Sequence, residues 1–112
     1  MTTPAYLCRF RETALALTAG VARTVDVPIN GARNWLVVVK NVGDTNAVTA
    51  VTVAASPLGD LFEAPAAVSA GLPLAAGDAL PGIRGDGEPV TTLRLVLTST
   101  SGTTVSIEAG GW

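Results

Sequence analysis

The run Thr91-Thr92-Leu93-Arg94-Leu95-Val96-Leu97-Thr98 decides the fold class. Leu93, Leu95 and Leu97 fall on one face of an extended chain, and Thr92, Arg94, Val96 and Thr98 fall on the other. A period of two with one apolar face is the pattern of a half-buried strand. Ser99-Thr100-Ser101-Gly102 follows as a turn, after which Val105, Ile107 and Ala109 alternate with Thr104, Ser106 and Glu108. The two runs together predict a β-hairpin whose inward faces are Leu93/Leu95/Leu97 and Val105/Ile107.

Upstream, residues 34–42 (Asn-Trp-Leu-Val-Val-Val-Lys-Asn-Val) are β-branched and apolar on both faces. That composition predicts an inner strand. A turn at 42–46 leads into residues 47–55, where Val48, Val51 and Val53 alternate with threonines; these runs also read as a hairpin. Residues 23–27 alternate Val25 and Val27 with Thr24 and Asp26 ahead of Pro28. Residues 6–17 read as one long strand or a strand with a bend. The spacing of Leu7, Phe10, Ala14 and Leu17 keeps a helix over 5–19 open as an alternative. Gly and Pro recur throughout 57–89, which excludes a long helix there and makes this the loop-rich part. Gly-Asp occurs at 43–44, 59–60, 77–78 and 85–86 with irregular spacing, so it is turn chemistry used repeatedly, not a structural repeat. The expected fold class is all-β: an antiparallel β-sandwich, Ig-like or jelly-roll, of about seven or eight strands.

The 112 residues make room for one domain over 1–112. With 48% hydrophobic and only 14% charged residues the chain has the material for a core and lacks the composition of a disordered one. A formal charge of -2 leaves no basic surplus for nucleic-acid binding. The absence of His removes the commonest general base and zinc ligand. Cys8 is the single cysteine, so no intramolecular disulfide forms; within Tyr6-Leu7-Cys8-Arg9-Phe10 it reads as a small half-buried hydrophobe. The N-terminus has no basic segment feeding an apolar run, so no signal peptide is expected, and Met1 points to a complete product. No apolar run is long enough for a membrane-spanning helix.

Candidate chemistry is sparse. The nine carboxylates sit mostly in turn signals, and a glycosidase pair is not expected. Asp78, Asp86 and Glu88 share a Gly-rich segment but lack calcium-loop spacing, so the expectation is an acidic solvated loop over 77–89. Arg84-Gly85-Asp86 spells an integrin-type tripeptide in an expected exposed loop. Ser and Thr are abundant, but no His or neighbouring Lys activates one. Lys40, the sole lysine, reads as an outward-facing strand residue guarding an edge. Arg9 and Arg11 share one strand face and form a surface pair able to meet an acidic partner. Trp112 follows Gly110-Gly111, expected to act as a hinge; the indole either folds back or anchors in a neighbouring subunit. Leu36, Val38 and Val96 lie outside the inward faces, more apolar surface than a lone domain of this size needs. Trp112, Arg9, Arg11, Phe62, Arg84 and Asp86 are therefore the candidate interface residues. No catalytic residue, cofactor or metal is expected, and the chain is not expected to be an enzyme.

Leu36-Val37-Val38-Val39-Lys40-Asn41-Val42-Gly43, Ala47-Val48-Thr49-Ala50-Val51-Thr52-Val53, Ser56-Pro57-Leu58-Gly59-Asp60-Leu61-Phe62 and the closing segment from Leu93 to Ile107 resemble a recurring type of bacteriophage accessory virion protein. The resemblance covers about two-thirds of the chain and rests on motifs shared by many β-sandwiches. It implies a non-enzymatic capsid-decorating or stabilising protein, with a trimer favoured and the major capsid protein or another virion protein as partner. It implies location in the virion after assembly in the host cytoplasm, with residues 1–11 as an N-terminal arm; no nucleic-acid or membrane partner is expected, from the charge balance and the lack of a long apolar run. The alternatives are a carbohydrate- or host-binding module, for which Trp35, Phe62 and Trp112 are the available aromatics, and a tail-associated virion component.

Overall fold

In the computed structural model, which describes residues 6–112, each alternating run becomes a strand. These are β1 (Cys8–Leu17), β2 (Arg23–Ala32), β3 (Trp35–Asn41), β4 (Ala50–Ser56), β5 (Ala66–Ala67), β6 (Ile83–Gly85), β7 (Val90–Thr98) and β8 (Thr103–Gly111). One sheet has the order β1-β8-β3-β6 and the other β2-β7-β4-β5. The antiparallel pairs β1·β8, β2·β7, β3·β6 and β4·β5 nest inside one another. They are the rungs of a single long ribbon folded double at its middle. Rolling that ribbon up brings β8 against β3 and β7 against β4, which closes the two sheets. This connectivity is the jelly roll, one of the two sandwich topologies that the alternation leaves open.

The inward faces are those that the alternation predicts. Leu93, Leu95, Leu97, Val105 and Ile107 are fully buried, as are Val37 and Val39 of β3. The two expected hairpins do not form. β7 and β8 lie in different sheets, and so do β3 and β4. Leu93/Leu95/Leu97 and Val105/Ile107 therefore meet face to face across the core instead of side by side in a ladder. Alternation specifies which side chains turn inward, and a facing strand satisfies it as well as a bonded one does. The connecting segments cross the roughly 10 Å between sheets. Ser99 anchors one crossing: its buried hydroxyl donates to Ala47 O at 2.6 Å and accepts from Gly102 N at 3.1 Å. Asn41 anchors the other. Its fully buried amide donates from Nδ2 to Asn46 O (2.8 Å) and Leu74 O (2.9 Å), and its Oδ1 accepts from Gly43 N (3.0 Å) and Thr103 Oγ1 (2.9 Å).

β1 is a strand with a bend, so the helical alternative falls; its register breaks between Glu12 and Leu15, where Ala14 takes φ 58. β2 runs on through Pro28 to Ala32, which its edge position permits, because no neighbour needs the missing N–H. Lys40 is exposed but does not guard an edge, since β3 lies between β8 and β6. β3 is an inner strand as expected, but only one of its faces is in the core. Segment 57–89 contributes β5, β6 and two bridges, Val48↔Leu74 and Lys40↔Ala79, and is pinned by buried Leu74 and Leu80. Of the expected arm over 1–11, residues 8–11 are built into β1, and residues 1–5 lie outside the described residues. Among the described residues no helix is long and apolar enough to cross a membrane.

Candidate interaction face

The outer surface of the β1-β8-β3-β6 sheet is where composition and position disagree. In register across it run Arg9, Gly110, Leu36 and Arg84, and beside them Arg11, Glu108 and Val38. An outward sheet face exposed to water is ordinarily polar. Here the centre is Leu36 and Val38, the latter 37% exposed. Tyr6 folds over Gly110, where an added Cβ would stand 2.8 Å from its ring. A glycine inside a strand commonly marks such a close approach. Trp112 meets Tyr6 edge-on at 5.9 Å between centroids and stays 38% exposed. The Arg9 guanidinium lies 5.1 Å from the centre of the Tyr6 ring, a cation–π distance.

These side chains line a shallow hollow of about 550 Å³. A second hollow of about 370 Å³ adjoins it between Asn34, Trp35, Leu36, Arg84, Asp86 and Trp112. Trp112 belongs to both. Its main chain is held to Asn34 by N–H···O bonds of 2.8 and 3.1 Å, so Gly110-Gly111 is strand and not a hinge. The indole folds back on its own domain yet keeps an open face.

The electrostatics set this face apart from the whole. Arg9, Arg11, Lys40 and Arg84 all point outward here, four of the seven basic residues in a chain of net charge -2. Arg11 is held by Glu108 at 3.2 Å. Arg9, Lys40 and Arg84 form no ion pair with a described residue. The result is an apolar-aromatic strip rimmed by arginine, the residue mix enriched at binding hot spots.

The sequence candidates divide accordingly. Trp112, Arg9, Arg11 and Arg84 come together on this face, and Asp86 stands at its border, just beyond β6. Arg84-Gly85-Asp86 is not the tip of a loop, because its first two residues lie in β6, and a Cβ on Gly85 would run into the Trp35 indole. Phe62 is elsewhere: it stacks with the Arg94 guanidinium at 4.0 Å. Arg94 in turn grips Asp26 with two bonds of 2.8 and 3.0 Å. That grip holds the Asp26 carboxyl below the usual carboxylate range and pushes the Arg94 guanidinium up. Leu58 and Leu61, beside Phe62, are more than four-fifths exposed. Cys8 is buried against Gly111, and loss of hydration raises its thiol pKa, as befits a packing residue. Among the described residues no three His, Cys, Asp or Glu side chains gather into a metal-binding group. Tyr6, Gly110 and Asn41 were missed by sequence reasoning. The signal available for Gly110 was a glycine inside an alternating strand.

No family model matches the chain, and no curated protein matches it. Among solved structures, a chain of the infectious bursal disease virus Gx strain structure matches with 16% identity and a TM-score of 0.48 over 92% of this chain. This chain spans 32%, about a third, of that chain's length.

Proposed function

We propose that the chain is a non-enzymatic virion structural protein that decorates or stabilises a phage shell, held by the outer face of its β1-β8-β3-β6 sheet. The observation that carries this reading is the strip of Tyr6, Leu36, Val38 and Trp112 left open to solvent on that face. Arg9 and Arg84, which form no ion pair with a described residue, flank it and favour a protein partner with carboxylates around an apolar centre. The jelly roll is a frequent shell-building architecture, although fold by itself does not assign function. Homo-oligomeric contacts belong to the same reading, with the trimer that the resemblance implies.

The direct test is an antibody to this chain used on purified, salt-washed particles from the source culture. Co-purification with intact particles at constant stoichiometry is the expected result. Absence from the particles refutes the virion role. A second reading, a carbohydrate-binding module, draws on the smaller hollow, where the indoles of Trp35 and Trp112 adjoin Arg84, Asp86 and Asn34. Saturable glycan-array binding lost in Trp112→Ala would favour it.

A further inference from the structure

We infer that β6 is a self-pairing seam, through which two copies of the chain join their β1-β8-β3-β6 sheets across a two-fold axis at Gly85. This rests on the homo-oligomeric part of the reading above and adds a contact of different symmetry: a two-fold seam joins copies in pairs, apart from any three-fold contact of a trimer. The sandwich has four sheet edges, and three are unsuited to self-pairing. β2 carries Pro28, which lacks an N–H, and its Asn30 and Gly31 take left-handed φ of 57 and 81. β5 is only two residues long. β1 is longer, but antiparallel pairing centred on Phe10 would set Arg9 of one copy opposite Arg11 of the other. Like charges placed directly across from each other repel, a common guard on edges.

β6 has the opposite pattern. Pairing centred on Gly85 sets Arg84 opposite Asp86 of the second copy, and Asp86 opposite its Arg84. Both residues are exposed, Arg84 inside β6 and Asp86 one residue past its end, so the seam extends β6 by one residue. A two-fold contact repeats each pair, so one tripeptide supplies two reciprocal ion pairs. The main chain is also correctly turned. Val39 O accepts from Leu80 N, while Asn41 N donates to Asp78 O and Asn41 O accepts from Gly77 N; these groups of β3 face the side on which β6 lies. By alternation Trp35 and Val37 face that side too, and their partners are Gly85 and Ile83. The N–H and C=O of Arg84 are thereby left for the free edge, where Arg84 and Asp86 of the partner would form a hydrogen-bonded pair. Gly85 needs no room at the axis, and Trp35 packs on its inner side. The seam is short, bounded by Pro81 and Pro89, so a concentration-dependent dimer is expected, not an obligate one.

Sedimentation velocity over a concentration series, at low and at high salt, reads the contact. The wild-type chain should dimerise, less so in high salt. Asp86→Arg or Arg84→Asp places like charges across the axis and should weaken self-association about tenfold or more. The double variant Arg84→Asp/Asp86→Arg swaps the pairs and should restore it, which separates the seam from any effect on folding. A chain that is monomeric at every concentration overturns the seam. So does an oligomer indifferent to both single reversals. Neither result touches the particle test of the virion reading.

Discussion

Replacing Asn41 with Leu keeps the branched shape at Cγ, adds bulk at a fully buried site, and removes an amide that holds three separate segments. Nδ2 binds the carbonyls of Leu74 and Asn46, and Oδ1 takes the Gly43 N–H and the Thr103 hydroxyl. The Leu74 bond is buried and the other three are partly so. A buried carbonyl stripped of its donor costs about 1–3 kcal/mol. Each of the other groups finds some water, so about 0.5–1 kcal/mol apiece is a fair value. The sum is roughly 2.5–6 kcal/mol, a large share of the ~5–15 kcal/mol that holds a domain of this size. Denaturant unfolding at neutral pH should show that loss with an unchanged slope, and the melting midpoint should fall by more than ~10 °C. Asn41→Asp should be as damaging at neutral pH, because a carboxylate would face two carbonyls, and milder at a pH where the acid is protonated and donates. A loss below ~1 kcal/mol for Asn41→Leu would refute the reasoning. It would mean that the crossings at 42–49 and 74–80 are held by their apolar contacts alone.

Two further outcomes test the surface chemistry. Gly110→Val should leave global stability within about 1 kcal/mol, since valine suits a strand, yet it should expel the Tyr6 ring. Red-shifted and more readily quenched tryptophan emission is expected as Trp112 loses its partner, and an unchanged spectrum would count against the Tyr6–Gly110–Trp112 arrangement. For Asp26, the folded pKa lies below the unfolded value of about 3.9, so the unfolded chain binds the proton more tightly. The contribution of the Arg94 pair is complete above that value and is lost as pH falls through the folded one. Wild type should exceed Asp26→Asn in stability near neutral pH, by a small and salt-sensitive margin because both side chains are well exposed. That difference should vanish in acid; a margin that persists there would contradict the pair.

The candidate face shows why sequence patterning reaches only part of the way to a site. Leu36 and Val38 stand out in the sequence as apolar residues on the wrong side of β3, and the structure leaves them half-open to solvent. Trp112 stands out by its position after two glycines. Neither observation tells that Tyr6, more than a hundred residues away along the chain, lies over Gly110 between them. Arg9 and Arg84 come into line only because β1, β8, β3 and β6 are neighbours in that order. Phe62 fails as a member of the face for the same reason: its loop belongs to the opposite sheet, where Arg94 occupies it.

What the sequence by itself determined is the set of local choices: extended chain, turns at Gly and Pro, and the identity of the inward side chains from Leu93 to Ile107. Each follows from side-chain alternation and backbone preference, which act over a few residues. Partner choice is not local. Whether a strand bonds to the next one along the chain or faces it across the core leaves the alternation unchanged, so the closing hairpin reads correctly in burial and both expected hairpins read wrongly in pairing. The tertiary structure made that decision through the nested pairs β1·β8 to β4·β5. It also placed Asn41 where one side chain could satisfy main-chain groups of three crossing segments. A polar residue in an apolar strand carries no mark of the carbonyls that will surround it, because those arrive only when the ribbon rolls up.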